Sequence, residues 1–103
     1  MADQDLYSGL IRLHILYHCS KEPTFGLGMI QELKRHGYSI GPGTMYPLLH
    51  RLEQKGYVRS AAQSVGGKTR RCYTITAVGR RALTRAKAKV RELFDELFED
   101  DRG

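Results

Sequence analysis

Apolar positions along this chain fall into helical stripes separated by turn signals, with one stretch of a different period near the middle. Residues 1–3 read as a short frayed lead. Over residues 5–19, DLYSGLIRLHILYHC, the residues Leu6, Leu10, Leu13 and Tyr17 line one face of a helix. Tyr7, Ile11, His14, Ile15 and His18 line a second face, about 100–180° round at 100° per residue. A helix apolar on two sides lies between two packing surfaces. One is the core of its own domain; the other is assigned to a second subunit, because a domain this small has little surface to spare. KEPTFG then reads as a turn punctuated by Pro23 and Gly26, with Thr24 placed to cap the next helix. That helix, residues 26–36, turns Leu27, Ile30 and Leu33 inward and stops at Gly37.

The narrowest stripe lies in residues 41–58, GPGTMYPLLHRLEQKGYV, where Met45, Leu48, Leu49 and Leu52 recur at i, i+3, i+4 and i+7. Pro42 suits a first turn, and Gly56 suits the residue just past a helix end. Pro47 is expected within the first turn or so, since deeper in it would kink the helix. The opposite face presents Tyr46, His50, Arg51 and Gln54, a surface of aromatic, hydrogen-bonding and cationic groups. The period then changes. Residues 57–65 and 68–76 are strand-compatible runs joined by Gly66-Gly67, which predicts a β-hairpin with Lys68, Arg70 and Arg71 at its tip and return strand. From Thr76, placed as an N-cap, a last helix is expected to about Phe98. Its Leu83, Ala86, Val90, Leu93 and Leu97 follow a 3-4-3-4 spacing with Phe94 and Phe98 alongside, an a/d seam of about two heptads. A seam of this kind on a protruding helix predicts pairing with a second copy.

Three helices, a cationic hairpin and a long helix spell a mainly α fold, a winged helix-turn-helix over residues 1–76. Residues 77–103 form a C-terminal dimerisation helix and acidic tail. In such a design the third helix enters the major groove and the wing reaches the flanking backbone or minor groove. Arg51 and Gln54 carry donors suited to guanine or adenine edges, and His50 could read either. Tyr46 would reach a phosphate or a thymine methyl. Thr44 and the helix N-terminus would hold a phosphate through backbone N–H groups. Lys68, Arg70 and Arg71 would supply cation–phosphate contacts. Singly, each of these is as readily an exposed polar side chain; the set carries the reading.

Charge sharpens the picture. Residues 1–50 balance four Lys and Arg against four acids, residues 51–91 hold twelve against one (+11), and residues 92–103 hold one against six (−5). A block so one-sided points to a polyanion, though a membrane surface would serve as well; the polar face of the third helix makes double-stranded DNA the leading candidate. With 103 residues the chain is one small domain, and its two cysteines, Cys19 and Cys72, read as thiols of a reducing cytoplasm. No apolar run approaches the roughly 20 residues of a bilayer-spanning helix. No nucleophile–base pair or Gly-rich phosphate loop is visible, and the acids of the tail are exposed, so an enzyme is not expected.

PGTMYPLLHRLEQKGYV, followed by a hairpin ending RCYTIT and then AVGRRAL, resembles the PadR family of bacterial transcriptional regulators. The family's Gly-Thr-hydrophobic-Tyr-Pro opening is matched by Gly43, Thr44, Met45, Tyr46 and Pro47, and its Arg-Leu-Glu closing by Arg51, Leu52 and Glu53. Gly41 stands where a small hydroxyl residue is common, and no tryptophan is present to match the drug pocket of one short-branch member. With one C-terminal helix the chain is similar to that short branch. The resemblance implies a homodimeric repressor on a pseudo-palindromic operator, released by a small aromatic effector bound between the first and last helices. Tyr7, Ile11, Ile15, Val90, Phe94 and Phe98 are the expected lining, and no cofactor is implied. His14 and His18 have the i, i+4 spacing of a helical metal pair, but the sequence forces no third ligand. They are read as a packed or hydrogen-bonding pair at the dimer contact, with no metal assigned; a metal-responsive regulator, or a winged helix used for protein contacts, remains the alternative.

Overall fold

The first helix is longer by a residue or two at each end than its stripes require. In the computed structural model, which describes residues 4–102, α1 runs Gln4–Lys21. The lead at residues 1–3 and the terminal Gly103 lie outside the described residues. Helix α2 follows as Gly26–Arg35 and α3 as Pro42–Gln54. Both end the same way. Gly37 (φ +92°) and Gly56 (φ +81°) take the left-handed conformation that releases the chain. Tyr38 N–H then donates back to the Leu33 carbonyl at 2.9 Å, and Tyr57 N–H to that of Leu52 at 3.0 Å. Each closes a Schellman motif, in which a residue with a Cβ would be strained.

The core is where the three helices meet. Ile11, Ile15, Leu16 and Cys19 of α1 pack on Met29 and Leu33 of α2 and on the whole α3 stripe, Met45, Leu48, Leu49 and Leu52. Of the two faces of α1, the Ile11/Ile15 side is thus the one buried within the chain. Leu6, Leu10 and Tyr17 on the other side stay 74%, 44% and 48% exposed.

The hairpin forms as expected from Val58–Val65 (β2) and Lys68–Ile75 (β3), in antiparallel register with Val65 opposite Lys68. Gly66 and Gly67 both have positive φ, the type I′ geometry whose twist matches the strands. One strand is additional. Thr24–Phe25, read from sequence as a turn, pairs with β3 (Thr24 opposite Tyr73, Phe25 opposite Cys72), giving sheet order β1-β3-β2. Thr24 therefore does not cap α2: Phe25 holds the N-cap position without a side-chain bond, and Thr24 Oγ1 donates to the Glu22 carbonyl.

Pro47 also departs from expectation. It stands in the second turn of α3, and the helix continues through it. The carbonyl of Gly43, an exposed residue, loses its intrahelical donor there. The last helix, α4, spans Ala77–Leu97, with Thr76 as N-cap accepting from Gly79 N–H at 3.0 Å. It packs on α1, where Arg80 donates to the Ser20 carbonyl. Only its first half is covered: Leu83 packs against the core, whereas Val90, Leu93, Phe94, Leu97 and Phe98 are 41–63% exposed. The described residues extend 57 × 31 × 20 Å. No described helix is long and apolar enough to cross a membrane.

Candidate nucleic-acid interface

Burying Met45, Leu48, Leu49 and Leu52 fixes which side of α3 faces out. Thr44, Tyr46, His50, Arg51 and Gln54 are all exposed. At 100° per residue the outermost line is Gly43, Pro47, His50 and Gln54. Tyr46 lies on one flank of it and Thr44 and Arg51 on the other. The Tyr46 flank looks toward the wing: with Phe25, Gly26, Leu27, Lys68, Thr69, Arg70 and Arg71 it borders a notch of about 320 Å³. Its ring lies over Gly26, where a Cβ would come within 2.5 Å of the ring carbons, so the glycine is what lets Tyr46 sit flat there. The Arg51 flank looks the other way. Arg51 borders a cleft with Leu6, Leu10, Leu13, Lys55 and Tyr57, beside α1. Tyr46, Lys68, Arg70 and Arg71 are therefore brought together, while Arg51 is set apart from the wing.

Glu53 positions the wing, a role that its spacing in the sequence does not announce. Its carboxylate accepts from Ser60 N–H at 3.0 Å and from Ser60 Oγ at 2.9 and 3.1 Å, tying the end of α3 to the first strand of the wing. Arg71 donates to Ser60 Oγ at 2.9 Å, so one of the expected phosphate cations is also part of this brace. A signal existed, since Glu53 is the single acid in the +11 block.

Between α1 and α4 runs a groove of about 910 Å³, lined on its apolar side by Leu10, Leu13, Tyr17, Leu83, Val90 and Phe94. The expected effector lining is only partly brought there. Val90 and Phe94 border it, but Ile11 (4% exposed) and Ile15 (0%) are in the subunit core, because the turn that carries them faces α2 and α3. Tyr7 packs edge-on against Tyr38, with ring centroids 6.0 Å apart, and Phe98 lies against Phe94 at 4.7 Å, outside the lining. Of the expected dimer seam, Leu83 and Ala86 are half-buried against their own chain and Val90, Leu93 and Leu97 are exposed.

His14 and His18 are parallel, 6.2 Å apart, and are joined by a third imidazole that sequence spacing could not supply, His36 at the end of α2, 4.7 Å from His14. Burial holds the His14 pKa below its usual value, helped by the charges His36 and His18 would carry. Burial likewise pushes the Cys19 thiol up to about 11.

A winged helix that turns a polar recognition surface and a cationic hairpin outward is a DNA-binding module of the transcription-regulator class. Comparison with known proteins agrees. Residues 15–85 match the transcriptional regulator PadR-like family. The chain is 46% identical over 88 residues to Transcriptional regulator Rv3488 of Mycobacterium tuberculosis, covering 85% of this chain and 82% of that protein. A PadR family regulator from Eggerthella lenta superposes with TM-score 0.82 at 32% identity, over 92% of this chain and 84% of that one. A PadR-like regulator from Bacillus cereus gives 0.87 at 25% identity, over 96% and 98%. The chain belongs to the PadR-like family of transcriptional regulators and binds DNA in that capacity.

Proposed function

We propose that the protein is a homodimeric repressor that binds a pseudo-palindromic operator and leaves it when a small aromatic effector occupies the α1/α4 groove. The observation that carries this reading is the shared notch of Tyr46 with Lys68, Arg70 and Arg71, which aligns the recognition helix and the wing for one duplex. His50 and Gln54 meet base edges, Arg51 and Thr44 flank them, and the wing cations hold phosphates. Residues 4–76 do the reading and α4 does the pairing. The exposed Leu93 and Leu97 of α4, with Leu6 and Leu10 of α1, supply an apolar surface that a second copy covers. Occupying an operator suffices for repression. A ligand between Tyr17, Val90 and Phe94 shifts α4 against α1, and with it the half-site spacing, to the extent that it prefers one arrangement. The site of action is the cytoplasm, where the free, buried Cys19 and Cys72 stay reduced.

Selection of bound fragments from random DNA tests the reading. The expected product is a two-fold symmetric site with half-sites roughly one helical turn, about 34–36 Å, apart. Sedimentation should show a dimer at micromolar concentration and a monomer for Leu93→Glu. A stable wild-type monomer, or fragments without symmetry, would refute it.

A further inference from the structure

His14 and His18 stand one turn apart on α1, and Glu32 and His36 one turn apart at the end of α2. Packing of the two helices sets both pairs into one wall of the α1/α4 groove. One ring nitrogen from each of the three histidines lies within 4.8 Å of the other two. Glu32 Oε2 points into the same space, 3.1 Å from His36 Nε2 and 3.7 Å from His18 Nε2, while Arg35 holds the other carboxylate oxygen at 3.1 Å. Nε2 of His18 is buried and makes no hydrogen bond. Leaving a buried polar nitrogen unsatisfied is unfavourable, which stacking of imidazoles for packing alone does not explain.

We propose that His14, His18, His36 and Glu32 form a binding site for one divalent ion of the zinc class per chain, with three imidazole nitrogens and one carboxylate oxygen as ligands. Such a donor set is that of a four-coordinate zinc site, and with no thiolate in it the softer thiophilic metals are disfavoured. Zinc–nitrogen bonds of about 2.0–2.1 Å set tetrahedral ligand atoms roughly 3.3–3.4 Å apart, so the rings close by about 1.5 Å at most. His36, whose side chain is 43% exposed, has room for that rotation. Arg35 orients Glu32 from outside the ligand set, as outer-shell partners do. The bound ion ties α1 to α2. The inference does not rest on the operator and effector reading, because its test reads metal binding alone.

The test is calorimetric titration of untagged, chelator-stripped full-length protein with zinc chloride. Expected is one saturable site per chain, weakened at least about tenfold in His14→Gln and in His36→Gln. Zinc should raise the melting temperature of the wild type by more than that of either variant. Cobalt(II) should give the visible bands of a four-coordinate site. Far-UV circular dichroism verifies that the variants fold, and Glu32→Gln takes their place if they do not. Absence of saturable binding below about 100 µM zinc, or an unchanged affinity in the folded variants, overturns the proposal.

Discussion

Glu53 sits in a stretch that otherwise holds twelve positive charges, and the structure gives it three contacts with Ser60. Removing it leaves Ser60 N–H without its acceptor and frees Arg71, which now leans on the same serine. Glu53→Ala is expected to cost about 1–3 kcal/mol, measurable by urea denaturation, and to speed amide exchange in β2 without altering the helical circular dichroism. Gly79 is constrained differently. A Cβ there would overlap the Tyr57 carbonyl oxygen, and that carbonyl already accepts from Thr76 N–H at 3.0 Å. Gly79→Ala is expected to destabilise by about 1–3 kcal/mol, with the first turn of α4 pushed off the end of the wing; Gly28→Ala, where nothing lies within 4 Å, is the harmless control. At Cys19 burial keeps the thiol protonated at neutral pH. A thiol-titrating reagent should find it unreactive in the native protein and reactive in guanidinium chloride.

Among the elements, periodicity was enough to place α1, α3, the hairpin and α4, because each has an uninterrupted stripe or a turn signal that local chemistry enforces. It failed where a tertiary partner overrode the local signal. Pro23 and Gly26 bracket a turn by composition, yet Thr24 and Phe25 find unpaired edge positions on β3 opposite Tyr73 and Cys72, and two ladder positions make a strand. By local rule Pro47 is disfavoured in a second helical turn, but the core contacts of Leu48, Leu49 and Leu52 on its C-terminal side outweigh one missing bond. Pro47→Ala restores that bond and is expected to stabilise the protein, by up to about 3 kcal/mol, as read from the thermal midpoint. The rear of α3 was legible for the same reason, since four leucine and methionine positions define one face and leave the functional face opposite. The split between its two flanks was not. Whether Tyr46 or Arg51 neighbours the wing depends on which side the hairpin folds back, and no spacing encodes that.

For the whole molecule the +11 block is distributed over the end of α3, the wing and the first two-thirds of α4, while the negative tail lies at the far end of α4. Affinity for DNA should fall steeply with salt. Arg70→Ala is expected to weaken binding to every sequence alike and to lower the slope of log affinity against log salt by about 1, whereas Arg51→Ala should relax sequence preference; an unchanged slope for Arg70→Ala would remove the wing from the phosphates. The sequence by itself determined the order of elements, the buried rear of the recognition helix and the concentration of charge, because these follow from local periodicity and covalent order. Tertiary structure alone decided which face of α1 became core, that Glu53 braces the wing, and that His36 joins His14 and His18. Those depend on how separate helices meet across distances in sequence that no local pattern spans.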